Sequence, residues 1–244
     1  MISWWSEEAN FVSPFGLHHF IYISIVVVAL AALLLNRGQV RAKASGIGTI
    51  ILLVSIIQQI VLYSWYFIET GFNISESLPL HICRISSLLG IYFLLTKNTK
   101  ALDIMFFFGL YAYGSFLYPQ RIYPVDHVIG ISFVINHAVT ILLPYFGYIA
   151  YNWRPKFKGL LRAYFFFVLY IAFVYILNPL IDGNYFYLKY RPFFREWPDS
   201  IYIAGVLFVT FCGYLIAYAV VNSFAKGKNK VDNFSPESPS SRAE

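Results

Sequence analysis

LHHFIYISIVVVALAALLLNRGQVRAK, residues 17–43, decides the fold. From Leu17 to Leu35 the chain carries no formal charge, and Arg37, Arg41 and Lys43 follow at once. A helix needs roughly 20 consecutive apolar residues to cross the hydrocarbon core of a bilayer, and this run supplies them. Glu7 and Glu8 stand before it. Acidic residues on one flank and basic ones on the other place the N-terminus outside and the following loop in the cytoplasm. The first residues lack the basic segment of a cleavable signal peptide, so the run reads as a retained anchor. Trp4 and Trp5 suit the interface, where an indole keeps its N–H wet.

The same pattern recurs along the chain. Further apolar runs cover about Ile47–Phe67, Leu78–Leu95, Leu102–Leu117, His127–Tyr151, Leu160–Ile181 and Ser200–Val221. The expected fold is therefore all-α, a polytopic membrane protein with seven transmembrane helices, N-terminus outside and C-terminus inside. Residues 1–16 form an outer segment, 17–224 the membrane domain, and 225–244 a Lys-, Ser- and Pro-rich tail that reads as disordered and cytoplasmic. Composition agrees. Charged residues make up 12% of the chain and mean hydropathy is +0.62, whereas a soluble domain carries about 25% charge. The net charge of +6 does not indicate nucleic acid, because the basic residues sit in short clusters between apolar runs. Thirteen of the 18 basic residues fall in the odd-numbered connections and the tail. Most acidic residues fall on the other side, as the positive-inside rule requires.

Polar groups inside a membrane are expensive, and each is a candidate functional residue. Mapped onto the seven runs, they gather in the outer half. His18 and His19 open the first run, and Gln58 and Gln59 lie centrally in the second. His81, Cys83 and Arg84 lie in the outer half of the third, where His81 and Arg84 share one helix face. His127 opens the fifth run, with Asn136 and His137 near its middle, and Asn178 and Asp182 close the sixth. Each also has a plainer reading: His18 and His19 as wet interfacial groups, Gln58 and Gln59 as bonds between helices, Cys83 and Cys212 as packing. Asp103, nearly alone in the inner half, reads as an N-terminal helix residue favoured by the dipole. No metal set is assigned, since His127 and His137 are ten residues apart and so about 15 Å apart along a helix. No cofactor motif is present, and the cofactor is left open.

The segment Leu78-Pro-Leu-His-Ile-Cys-Arg84 resembles the YwaF-type bacterial integral membrane proteins, which are similar to the eukaryotic transmembrane protein 164 family. The outer segment Asn184-Tyr-Phe-Tyr-Leu-Lys-Tyr-Arg-Pro192 and the paired histidines before the first helix carry the same resemblance, which extends to about Phe224. It implies acyl transfer to lipids through a cysteine. In the eukaryotic pattern that cysteine directly precedes the motif histidine; here the position is Leu80, and Cys83 points about 200° away from His81 on a regular helix.

The leading expectation is a membrane lipid or lipid-linked substrate bound or modified in an outer-half polar cavity, with acyl transfer as the enzyme version. His81 and His137 would be the catalytic groups, with Arg84, Gln58, Asn178, His127 and His18 binding substrate. A transporter or binding protein for a small solute is the second class, and a structural membrane partner the third. The topology itself is open to test. Reporter fusions after Arg41, Lys97, Lys156 and Lys228 are expected to read cytoplasmic, and fusions near Ser75, Tyr123 and Tyr187 external. Two adjacent connections read in reverse would mean a miscounted helix.

Overall fold

The computed structural model describes residues 4–119 and 121–232. Its elements are α1 (Leu17–Leu35), α2 (Arg37–Ala42), α3 (Ala44–Glu69), α4 (Ile74–Ser77), α5 (Ile82–Thr96), α6 (Thr99–Phe108), α7 (Leu110–Leu117), α8 (Val128–Tyr151), α9 (Phe157–Leu180) and α10 (Asp199–Asp232), with a 3₁₀ turn at Tyr185–Tyr187. Among the described residues there is no strand. Five helices, α1, α3, α8, α9 and α10, are long and apolar enough to cross a membrane. The third and fourth apolar runs are realised differently. α5 has 15 residues, and the fourth run is divided into α6 and α7 at Gly109, whose backbone stays in the right-handed helical region.

α5 begins four residues later than the sequence suggested. Pro79 disfavours helix at Leu78, and Leu78 is extended. His81, also extended, is the N-cap of α5. The expected face shared by His81 and Arg84 is thus only the first turn of that helix. At the other end of the chain, α10 runs past Phe224 to Asp232. Residues 225–232 of the segment read as disordered are therefore helical, since no proline interrupts the chain before Pro236. The remaining tail, 233–244, lies outside the described residues.

α8 is the hub. It packs against α1, α2, α3, α5, α6 and α7, while α6 also packs on α5 and α9. The connections sort into two ends. At one end Arg41 donates to the Ile149 carbonyl at 3.0 Å and to Asn152 at 2.7 Å, and Lys97 lies over the Tyr151 ring. Asp103 accepts from Trp153 Nε1 at 3.1 Å and pairs with Arg162 at 3.4 Å. Asp103 is thus an ion-paired acceptor, and the dipole reading of it gives way. At the other end the N-terminal segment is laid over the ends of α3 and α8. Trp65 Nε1 donates to the Trp5 carbonyl, Val128 N–H to the Trp4 carbonyl and Val12 N–H to the Ile122 carbonyl.

The packing at this second end is close enough to dictate a glycine. A Cβ on Gly130 would lie 1.9 Å from the Pro124 carbonyl oxygen and 2.5 Å from the Tyr22 hydroxyl. The carbonyl is backbone and cannot rotate away. Gly130→Ala is expected to cost about 1–3 kcal/mol, the usual penalty for overpacking. Gly114→Ala, where nothing lies within 4 Å, should be neutral or slightly stabilising. Thermal unfolding of the two variants in detergent checks the contrast.

Candidate functional site

Arg84 organises the polar end of α5. Its side chain turns back along the chain, and Nη1 donates to the carbonyls of Glu76, Ser77 and Leu78 at 3.0, 3.3 and 3.1 Å. Nη2 donates to the Tyr66 hydroxyl, and the guanidinium lies 4.8 Å from the centre of the Tyr66 ring. A short helix leaves its last carbonyls without intrahelical partners. Arg84 supplies those of α4 and the turn at Pro79. The guanidinium has five N–H donors, and the Tyr63 hydroxyl of α3 stands beside it as well. His81 and Arg84 stand at the start of α5, and His137 stands on α8, which packs against α5.

His81 is held from the other side by the loop after α9. Asn178 bridges it twice: Nδ2 donates to the Tyr185 carbonyl at 3.0 Å and Oδ1 accepts from the Tyr185 N–H at 2.9 Å. The Tyr185 ring then lies 5.0 Å from the His81 ring. Its hydroxyl donates to the Ile74 carbonyl and accepts from the Leu78 N–H. Burial pushes this hydroxyl up to about 12, so it remains a donor at neutral pH. Phe186 and Tyr187 both have positive φ, 58° and 52°, a region that bulky residues rarely occupy. That bend sends Phe186 into contact with the rings of Tyr111, Phe167 and Tyr170.

The remaining sequence-selected residues are committed to the protein. Gln58 Nε2 donates to Ser132 at 2.7 Å. Gln59 Nε2 donates to the Gln58 carbonyl at 2.9 Å and to Ser87 at 3.2 Å, tying α3 to α8 and α5. His127 caps α8, accepting from the Ile129 N–H through Nδ1 and donating to the Ser6 carbonyl through Nε2. His18 Nδ1 accepts from the Val125 N–H, and His19 joins the Phe15 N–H to the Phe116 carbonyl. His19 is 2% exposed, so it is a buried fastener and not a wet interfacial group. Asn178 is occupied by Tyr185, as above.

Two histidines are left. His81 makes no ring hydrogen bond to a described residue. His137, on α8 among the rings of Phe116 and Phe133, donates from Nδ1 to the Phe133 carbonyl at 2.9 Å. That bond sets the tautomer and leaves Nε2 as the lone-pair nitrogen. Next to it, Asn136 Nδ2 donates to the Cys83 carbonyl at 3.4 Å, and Asn136 Oδ1 is buried without a hydrogen-bond partner. The Cys83 thiol meets the Ser115 hydroxyl of α7. Ser115, Tyr170 and Tyr185 were absent from the sequence-selected set. No local pattern marks them, although Tyr170 donates to the Leu80 carbonyl at 2.7 Å and so holds the motif itself. Among the described residues no group of three or more His, Cys, Asp or Glu could hold a metal ion.

A family model described as the TMEM164 family matches residues 14–218, from the turn before α1 into α10. No curated protein and no solved structure matches the chain.

The Tyr185 hydroxyl gives a direct test of the arrangement. Tyr185→Phe keeps the ring beside His81 but strands the Leu78 N–H and the Ile74 carbonyl. Both bonds are only part-buried, and losing such a hydrogen bond costs about 0.5–1.5 kcal/mol. Hydrogen exchange is expected to rise in the Ile74–Leu80 segment while that of α8 is unchanged.

Proposed function

The chain belongs to the TMEM164 family, and from that footing we propose that it binds a membrane lipid or lipid-linked substrate at the His81–Arg84–His137 cluster and modifies it by acyl transfer. A multi-pass membrane location is given by the family and by five helices able to cross a bilayer. The full topology proposed here has seven crossings, with the N-terminus and this cluster on the outer side. α5 is about 22 Å long and the α6–α7 pair about 28 Å at 1.5 Å per residue, close to the roughly 30 Å hydrocarbon core. The meeting of the odd-numbered connections at one end, around Arg41, Lys97 and Arg162, supports the same alternation.

One observation carries the functional reading. The other sequence-selected side chains are consumed in fastening the fold, whereas His137 spends only its Nδ1, on the Phe133 carbonyl, and His81 meets the Tyr185 ring alone. In the direct mechanism, His137 Nε2 takes the proton of an acceptor hydroxyl, whose oxygen attacks the donor ester carbonyl. The carbonyl–oxygen bond of the donor then breaks, and the departing oxygen takes the proton from His137 while the neutral His81 ring donates a hydrogen bond to it. The Arg84 guanidinium holds a phosphate or carboxylate oxygen by a charge-assisted bond. A covalent variant runs through Cys83. It is favoured by the contact of the thiol with Ser115 and by the bond from Asn136, which places Cys83 at the helix junction that carries His137. A solute pathway is less well supported, because Leu102, Met105, Leu143 and Phe146 fill the opposite half of the bundle at 0–1% exposure.

Turnover of a labelled phospholipid by the purified chain tests the reading. His137→Ala is expected to lower the rate by about 100-fold or more, the scale of a lost general base, with lipid binding retained. Arg84→Leu should impair function or folding more than Arg195→Leu; equal tolerance of both removes Arg84 from the site. Cys83→Ser should keep much of the activity, and complete loss at normal expression selects the covalent route.

A further inference from the structure

Three of the five histidines gather at the end of the bundle where the N-terminal segment lies, and each meets the backbone in the same way. His18 Nδ1 accepts from the Val125 N–H at 3.2 Å, His19 Nδ1 from the Phe15 N–H at 2.9 Å and His127 Nδ1 from the Ile129 N–H at 3.2 Å. A ring nitrogen that accepts an N–H must keep its lone pair, so each ring is held neutral. His19 and His127 spend their one N–H on the Phe116 and Ser6 carbonyls. A second proton would sit on Nδ1 and point at a backbone N–H, so that two donors face each other and the bond is lost. What these rings hold is the N-terminal segment and its surroundings. His127 grips Ser6, and Tyr123, whose ring stacks on it at 4.3 Å, donates to the Glu7 carbonyl. His18 ties α1 to the connection before α8. His19 reaches back to Phe15, whose φ of 63° is rarely adopted by a bulky residue.

We infer that His18, His19 and His127 form a proton-released fastening: with neutral rings the N-terminal segment, residues 4–16, is closed over the ends of α3 and α8, and proton uptake at this end frees it. The surrounding charge points the same way. Glu7 of the segment and Glu76 of α4 act on Tyr123, Asp126 precedes His127 and acts on Tyr22, and Arg121 lies over the Phe11 ring. Three carboxylates against one guanidinium favour an imidazolium once the bonds to the backbone are given up. None of the four holds a histidine in an ion pair, since the ion pairs among the described residues lie elsewhere. Beneath the segment, Trp65 gives its Nε1–H to the Trp5 carbonyl, and its ring lies 5.3 Å from that of Tyr66, the residue whose hydroxyl meets Arg84. Release therefore uncovers the shoulder of α3 beside Arg84. The fastening acts in this way whatever the cluster binds.

The test follows hydrogen exchange of the full chain in nanodiscs at pH 7.5 and pH 5.5, expressed as protection so that the pH dependence of the exchange chemistry itself cancels. An ordinary imidazole titrates at about pH 6.5, and each ring that must stay neutral weakens the closed segment about tenfold one pH unit below that. The fastening is thus complete above this pH and is lost as pH falls through it. Carboxylates titrate at about pH 4 and stay charged across the window. Peptides covering 4–16 and 121–130 are expected to lose about tenfold or more in protection at pH 5.5, with α9 unchanged. Variants that cannot titrate separate the histidines from any other effect of acid. His127→Asn and His18→Asn keep an acceptor oxygen close to the position of Nδ1, and asparagine is a favoured cap at the first of these. His19→Gln keeps one at the third helical residue, where a capping-box Gln also reaches back to a backbone N–H. The triple variant should show nearly equal protection at the two pH values, whatever its level at pH 7.5. Equal protection of the unmodified chain at both pH values overturns the inference without any variant. So does a loss spread evenly over α9 and α10, or a pH dependence that the triple variant keeps in full.

Discussion

A guanidinium placed at the level of membrane helices must find acceptors within the protein, since hydrocarbon offers none. Arg84 finds them in three consecutive carbonyls at the end of α4 and in the Tyr66 hydroxyl. The bargain is mutual. The carbonyls after a four-residue helix would otherwise be unpaired, and the arginine would otherwise be a bare charge. Together they hold the Pro79 turn open. The open turn makes His81 the N-cap of α5, and that position brings its ring to Tyr185. The polar end of the bundle thus depends on one charge-assisted contact.

Around that contact the polar residues divide by task. His18, His19 and His127 hold backbone groups about 100 residues away, and Asn178 closes the nearby turn at Tyr185, where a peptide group without a partner would be costly. Gln58 and Gln59 do the same between helices, through Ser132 and Ser87. Because their hydrogen bonds are used up, they are poor candidates for chemistry. His81 and His137 differ in having ring nitrogens to spare. The distinction is one of hydrogen-bond accounting, since both groups contain histidines within or near apolar runs.

The aromatic loop after α9 belongs to the same arrangement. Its Tyr and Phe content alone would suit a belt lying along the interface. Tyr185 instead enters the protein, 0% exposed, and Phe186 packs against α7 and α9 through a backbone with positive φ. The far end of the loop is tied by Arg191, which donates to the Trp197 carbonyl and to Asp199 and lies over the Tyr202 ring. Arg191 and Lys189 have carboxylate partners, Asp199 and Asp182, and contribute little free positive charge.

The sequence by itself determined the helical class and located, among the seven runs it marked, the five helices long and apolar enough to cross a membrane. These are properties of each residue's own polarity and of its place in a run, so they can be read without knowing a neighbour. It also singled out Arg84, His81 and His137, because a polar group in an apolar run stands out wherever it points. The start of α5 was legible in principle from Pro79, but the surrounding apolar run outweighed it. Which polar groups remain free was decided only by the tertiary structure. Tyr185 and Leu78 are 107 residues apart, His19 and Phe116 are 97 apart, and His127 and Ser6 are 121 apart. A hydrogen bond is a property of two groups within about 3 Å, and no local pattern records which distant carbonyl will arrive at that distance.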